Sequence, residues 1–148
     1  MTISAISIPD APKPAGPYSQ GIVARGFLFT AGFGPQDPHT GAVADSVADQ
    51  TRQVLRNIGA VLAEANATFA DVVKVTVHLS DTALFARYNA IYARRFSAPY
   101  PVRTTVGSDL RQLPGMLIEA DCIAYAPQEA PSTKKRKSKK AKPAAKRR

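Results

Sequence analysis

A chain of 148 residues fits one domain, and its single cysteine, Cys122, excludes an internal disulfide. The net charge of +9 is unevenly placed: residues 1–129 hold 10 Lys and Arg against 11 Asp and Glu, while residues 130–148 hold the other 10 and no acid. The basic balance therefore belongs to an appendage and not to the body. No apolar run is long enough to span a bilayer, and the N-terminus lacks a basic region followed by an apolar one, so a cytoplasmic protein without a membrane span is expected.

Residues 9–17, with Pro9, Pro12, Pro14 and Pro17, read as an extended lead-in. Ile22 to Thr30 reads as a hairpin turning at Gly26. Residues 32–41 hold three glycines and two prolines and read as a loop. Ser46 to Ala65 is the clearest helix, because Val47, Val54, Leu55, Ile58, Val61, Leu62 and Ala65 fall on one stripe. Ser46 and Asp49 resemble a capping box, and Asn66 is a plausible left-handed stop. Val72 to Leu79 alternates as a strand, with Val73, Val75, Val77 and Leu79 on one side. A second helix is expected from about Thr82 to Phe96, burying Leu84, Tyr88, Ile91 and Tyr92. Arg103–Gly107 and Met116–Tyr125 are the last strands.

Strands, helix, strand, helix, strands fit an α+β sheet with two helices on one face. In the last strand Met116, Ile118, Ala120, Cys122 and Ala124 point one way, and Leu117, Glu119, Asp121, Ile123 and Tyr125 the other. Both sets carry apolar groups, so the face without helices should be covered by another subunit. Residues 130–148 contain no large apolar group and should form a disordered basic tail suited to nucleic acid or another polyanion.

Arg103 opens a β-branched run after Pro101-Val102, and Glu119 lies on the neighbouring predicted strand. A guanidinium can grip a carboxylate through two parallel hydrogen bonds, and a carboxylate can orient water. Asp121, two residues on, would lie about 7 Å from Glu119 and could raise its pKa. His39, His78 and Cys122 show no metal spacing. Cys122 reads as a buried, unreactive thiol. Lys74 reads as a solvated or interface lysine.

The stretch from Tyr100 to Tyr125 resembles the Rid family (reactive intermediate, YjgF-type, deaminases). Gly16-Pro17-Tyr18-Ser19-Gln20-Gly21, Phe29-Thr30-Ala31-Gly32-Phe33-Gly34-Pro35 and Phe85-Ala86-Arg87-Tyr88-Asn89-Ala90-Ile91-Tyr92 agree in family order. The resemblance covers roughly the first 126 residues, within a domain placed at 1–129. It implies a chorismate-mutase-like mixed sheet and a homotrimer with clefts between subunits. It also implies deamination of small 2-imino acids of the 2-iminopropanoate and 2-iminobutanoate type, giving a 2-keto acid and ammonia without metal or cofactor.

In that family the arginine matching Arg103 binds the substrate carboxylate and the glutamate matching Glu119 orients water. Tyr18 would line the pocket, Asn89 would fix its wall, and backbone groups near Gly32 and Thr105 would hold the imine nitrogen. The Ala31-Gly32-Phe33-Gly34 loop could present N–H groups to an anion. Ala31 stands where relatives often carry serine, Thr105 where some carry cysteine, and Phe33 where others have polar residues. Two other functions remain open on the sequence. One is RNA cleavage or translation inhibition, with the tail supplying electrostatic affinity; the other is a non-catalytic ligand-binding trimer.

Overall fold

The computed structural model describes residues 2–127. The basic tail at 130–148 and the domain boundary at 129 lie outside the described residues. Six strands form one sheet: β1 (Ile3–Ile6), β2 (Gly21–Ala24), β3 (Phe27–Thr30), β4 (Val72–Leu79), β5 (Val102–Gly107) and β6 (Ile118–Tyr125). Their spatial order is β1-β2-β3-β6-β4-β5. All pairs are antiparallel except β4–β5, the parallel pair that α2 (Phe85–Arg95) connects. The longer α1 (Val47–Glu64) and α2 pack together on one face of the sheet.

Local chemistry sets the boundaries. Arg25 and Gly26 both take positive φ, 49° and 79°, the conformation a two-residue hairpin turn demands. Ser46 caps α1 by accepting the Asp49 N–H at 3.1 Å, while its hydroxyl donates to Asp49 Oδ2 at 3.0 Å. The Asp49 carboxylate is thereby spent on the cap's hydroxyl and not on its backbone, so the expected box is half made. A reciprocal box forms instead at Thr68 and Asp71, around the 3-10 turn Phe69–Asp71. Asn66, at φ 55°, ends α1 in the left-handed conformation expected of it.

The helical stripe is buried as the periodicity predicts: Val47, Val54, Leu55, Ile58, Val61, Leu62 and Ala65 all lie in the core. Each fully buried side chain of this kind contributes roughly 1.5–3 kcal/mol. From the sheet, Leu28, Val75, Val77, Leu79, Ile118, Ala120, Cys122 and Ala124 meet it. Burial pushes the Cys122 thiol up to about 12, so it stays protonated and inert. Iodoacetamide should leave the native protein unlabelled over hours and label Cys122 fully in denaturant, as intact mass would record.

Strand β1, which the sequence does not announce, forms upstream of the proline-rich lead-in and pairs with β2. Three expectations need correction. The 82–84 segment is a 3-10 turn capped by Asp81, and α2 begins only at Phe85. Residues 113–116 form a turn, with Gly115 at φ 80°, so the last strand begins at Ile118 and not Met116. A register shift between Val72 and Lys74 buries Val72 and turns Val73 outward, reversing the expected alternation there. No described helix is long and apolar enough to cross a membrane.

Candidate functional site

The face opposite the helices carries Ile22, Phe29 and Ile123 in one cross-strand row, and Phe27 against Tyr125 in another. Phe27 and Tyr125 meet edge-to-face at 5.7 Å, and Phe29 and Tyr125 stay 44% and 52% exposed. Lys74, Thr76 and His78 of β4 share this face with Glu119 and Asp121 of β6. Lys74 Nζ donates to Thr104 Oγ1 at 2.7 Å, and His78 Nδ1 lies 2.7 Å from Ser108 Oγ. Burial raises the Asp121 carboxyl, with His78 and Lys74 opposing the rise. A sheet face this apolar, with half-buried charges across it, has the character of an interface.

At one end of that face lies an open cleft of about 820 Å³, lined among others by Tyr18, Phe29, Ala31, Gly32, Gln112 and Glu119. Tyr18 is set by a tight turn, its N–H donating to Gly16 O at 2.8 Å and its hydroxyl accepting the Ala15 N–H at 3.0 Å. Gln112 Nε2 approaches Glu119 Oε2 at 3.3 Å. A Cβ on Gly32 would lie 2.2 Å from Glu119 Oε1, so this glycine lets the carboxylate rest against the backbone. The Gly32 φ is one that any residue can adopt, so Gly32→Ala should fold with a stability change under about 1 kcal/mol. It should nevertheless displace the carboxylate and lower any reaction that Glu119 assists about 10²-fold. A thermal melt beside a rate measurement checks both.

Arg103 and its companions lie elsewhere. Arg103 pairs with Val75, on the helix-covered side of edge strand β5. Its Nη1 donates to Asn89 Oδ1 at 2.8 Å, and its guanidinium sits 4.5 Å over the Tyr92 ring and 5.5 Å from those of Tyr88 and Phe85. The α2 residues Phe85, Tyr88, Asn89 and Tyr92, at helical spacing, build this shelf. Tyr88 Oη is hydrogen-bonded to Thr105 Oγ1. Burial pushes the Tyr92 phenol up to about 12 against the opposing Arg103 charge, so it is neutral where it meets the cation. Among the described residues Arg103 forms no ion pair with a carboxylate.

The predicted residues thus fall into two groups. Tyr18, Ala31, Gly32 and Glu119 line the open-face cleft, while Asn89, Arg103 and Thr105 cluster against α2. Within one chain Arg103 and Glu119 point to opposite faces, about 10 Å apart along the strands and about 10 Å across them. Phe33 belongs to neither group. It is 3% exposed in the core, and its N–H and C=O both pair with Ala120, at 2.8 and 3.1 Å. Its ring is therefore a core ring, and its N–H cannot be offered to an anion. The Ala31 N–H is likewise spent on Gln20 O at 2.9 Å. No group of three His, Cys, Asp or Glu among the described residues could hold a metal ion.

Three buried amides position the cleft and were not foreseen. Gln20 Nε2 donates to Ile8 O, Ala11 O and Pro12 O, each at 3.0 Å, tying down the lead-in to Tyr18. Asn57 Nδ2 donates to Gly34 O and Gln36 O, each at 3.0 Å. Gln50 holds the strap before β6 through Gly115 O and the Leu117 N–H. The signal was present: Gln50 and Asn57 interrupt the apolar stripe of α1, where a polar group must find buried partners.

The structure is thus a mixed six-stranded sheet with two helices on one face, a cleft holding Glu119 on the other, and Arg103 at the edge without a carboxylate partner among the described residues. The fold and sequence have known relatives. A family model described as Endoribonuclease L-PSP matches residues 8–126. A RutC family protein of Pyrococcus horikoshii is 49% identical over 118 residues, covering 78% of this chain and 92% of its own. Reactive Intermediate Deaminase A, chloroplastic, of Arabidopsis thaliana is 44% identical over 121 residues, covering 80% of this chain and 64% of its own. The crystal structure of E. coli TdcF with bound serine matches with a TM-score of 0.77 at 34% identity, over 82% of this chain and 98% of that one. The chain belongs to the Endoribonuclease L-PSP family, which includes the RutC and Rid proteins.

Proposed function

We propose that the protein hydrolyses small 2-imino acids to 2-keto acids and ammonia, in clefts completed between the subunits of a homotrimer. The observation that carries this is the state of Arg103: half-buried, oriented by Asn89, stacked on Tyr92 and paired with no carboxylate among the described residues. A fixed cation held this way is preorganised for an anion that the chain does not itself supply. Its separation from Glu119 within one chain requires a second chain to complete the site. One subunit would bring Tyr18, Gly32 and Glu119, and its neighbour Asn89, Arg103 and Thr105. The open apolar face supplies the surface for that association. The similarity to a reactive intermediate deaminase, and to a TdcF structure holding serine, a small carboxylate-bearing ligand, supports the same reading.

The chemistry follows from the groups. Arg103 grips the substrate carboxylate and fixes its orientation. Glu119 takes a proton from a water as its oxygen bonds to the carbon of the protonated imine, giving a neutral carbinolamine. Glu119 returns that proton to nitrogen, and as the C–N bond breaks it takes the hydroxyl proton, so that the carbonyl forms and ammonia leaves. An imine carbon is already electrophilic, so a modest lowering of the barrier suffices. Backbone groups at Gly32 and near Thr105 hold the nitrogen. Because Ala31 brings no hydroxyl, substrate hydrogen bonds there are limited to the backbone.

The test generates 2-iminopropanoate in situ with a PLP-dependent dehydratase and traps residual imine with semicarbazide. Pyruvate release should accelerate with the wild-type protein and not with Arg103→Ala. Equal rates for the two would remove the deaminase reading.

A further inference from the structure

Ser108 and His78 form a pair that the proposed imine chemistry does not use. Val106 of β5 stands beside His78 of the parallel β4, and Ser108, two residues further on, keeps to the same face. The Ser108 N–H donates to Leu79 O at 2.8 Å and fixes the backbone, and Ser108 Oγ lies 2.7 Å from His78 Nδ1. In the tautomer protonated at Nε2, Nδ1 accepts the hydroxyl proton, the arrangement that activates a serine nucleophile. Two carboxylates of β6 share the face with the imidazole: Glu119 is opposite His78 in register, and Asp121 is opposite Thr76. Asp121 is near enough for the charge of His78 to draw its carboxyl down against the rise caused by burial. An imidazolium formed by taking the serine proton is therefore met by acid on the adjoining strand.

The serine also opens onto a space of its own. A cavity of about 530 Å³ is lined by Ser80, Ser108, Leu110, Leu113, Pro114 and Met116, where β4 and β5 finish and the chain loops back into β6. It shares Leu113 and Met116 with the Glu119 cleft but is bordered by neither Glu119 nor Arg103. A hydrogen bond made only to satisfy polar groups inside a core would be sealed from solvent. Ser108 and His78 are both half-buried, and the serine borders the cavity. The N–H groups of Asp109 and Leu110, the two residues after the serine, donate to no partner among the described residues. N–H groups next to a nucleophile can receive the oxyanion that forms when its oxygen adds to a carbonyl. The Asp109 carboxylate is taken up by Arg111, whose Nε donates to its two oxygens at 2.8 and 3.0 Å.

We propose that Ser108 and His78 are the nucleophile and base of a second site, one that hydrolyses small uncharged carboxylic esters through an acyl-serine intermediate. The walls set the substrate class. Leu110 and Met116, both buried, join Leu113 and Pro114 in an apolar surface for a short acyl group, while the acid and the guanidinium of the lining occupy each other. Ser108 Oγ bonds to the ester carbon as its proton passes to His78 Nδ1. The C–O bond to the leaving group then breaks, and the leaving oxygen takes the proton from His78. Water next adds to the acyl carbon and gives a proton to His78. The bond from the acyl carbon to Ser108 Oγ breaks, and that proton returns to the serine. Ester and water become acid and alcohol, and the pair ends as it began.

The test uses the full chain and two probes. A fluorophosphonate, which phosphonylates activated serines and expels fluoride, is located by peptide mapping. Turnover of p-nitrophenyl butyrate is read from nitrophenolate release. Four proteins are compared: wild type, Ser108→Ala, His78→Gln and Ser80→Ala. Wild type should carry the phosphonate on Ser108 and turn the ester over. Ser108→Ala should take no label and release nitrophenolate no faster than its surface amines do. His78→Gln keeps a hydrogen-bonding side chain beside Ser108 but cannot take its proton, so labelling and turnover should both slow about 10²-fold. Ser80→Ala, in the same cavity, should match wild type in both. The wild-type label depends on no variant folding, and thermal melts show whether each variant has folded. A wild-type protein without phosphonate on Ser108 overturns the proposal. So does turnover equal to wild type in Ser108→Ala, which would assign it to amines, or in His78→Gln, which would leave the serine without its base.

Discussion

Co-expressing Arg103→Ala and Glu119→Gln chains should restore imine hydrolysis that neither variant has alone. Each single variant should lose about 10²-fold or more in kcat/KM, since each removes a group whose charge acts on the reacting molecule. In a mixed trimer with each site shared by two subunits, an intact site needs Glu119 from an Arg103→Ala chain and Arg103 from a Glu119→Gln chain. Random mixing of equal amounts makes about a quarter of the sites intact in a closed cyclic trimer. Native mass spectrometry would verify that mixed trimers formed, and the pyruvate assay would read the recovery. Verified mixed trimers with no recovery would mean that both groups act from one chain. The face assignment is the reason recovery is expected: Arg103 is level with Val75 on the helix side, and Glu119 is level with His78 on the other.

Gln50→Leu should cost roughly 3–5 kcal/mol, the largest stability loss expected from a single polar substitution outside the site. Gln50 is fully buried. Its Nε2 donates to Ala44 O at 2.7 Å and to Gly115 O at 2.8 Å, and its Oε1 accepts the Leu117 N–H at 2.7 Å. Leucine of similar volume would leave two carbonyls and one N–H in the interior, each orphan costing about 1–3 kcal/mol. The thermal midpoint should fall by about 10 °C or more. The strap it releases contains Gln112, Leu113 and Met116, which line the cleft, so KM should rise in whatever fraction stays folded. A loss below about 1 kcal/mol in denaturant unfolding would show that water replaces the amide.

Periodicity made most of the architecture legible. The apolar stripe of α1, the alternation of β6 and the apolar character of both sheet faces were open to sequence reasoning, because burial on a helix or strand repeats at a fixed period. Three things were not. Residues 3–6 lack the alternation of a half-buried strand, and β1 exists because β2 offers it an edge. Val73 follows the pattern of β4 on paper, and only the register shift against β6 turns it out. Phe33 sits in a glycine-rich loop whose motif suggests ligand contact, yet its bridge to Ala120 draws the ring into the core.

By itself the sequence determined the family, the α+β layering and the cast of polar residues available for chemistry, since each rests on local pattern or on motifs in order. Only the tertiary structure decided how that cast divides. Whether Arg103 and Glu119 share a face depends on strand order and register, which place β4 between their strands. Whether Ser108 meets His78 depends on how β5 registers against β4. Those are long-range facts, set by how sheet and helices pack, and no local run of residues encodes them.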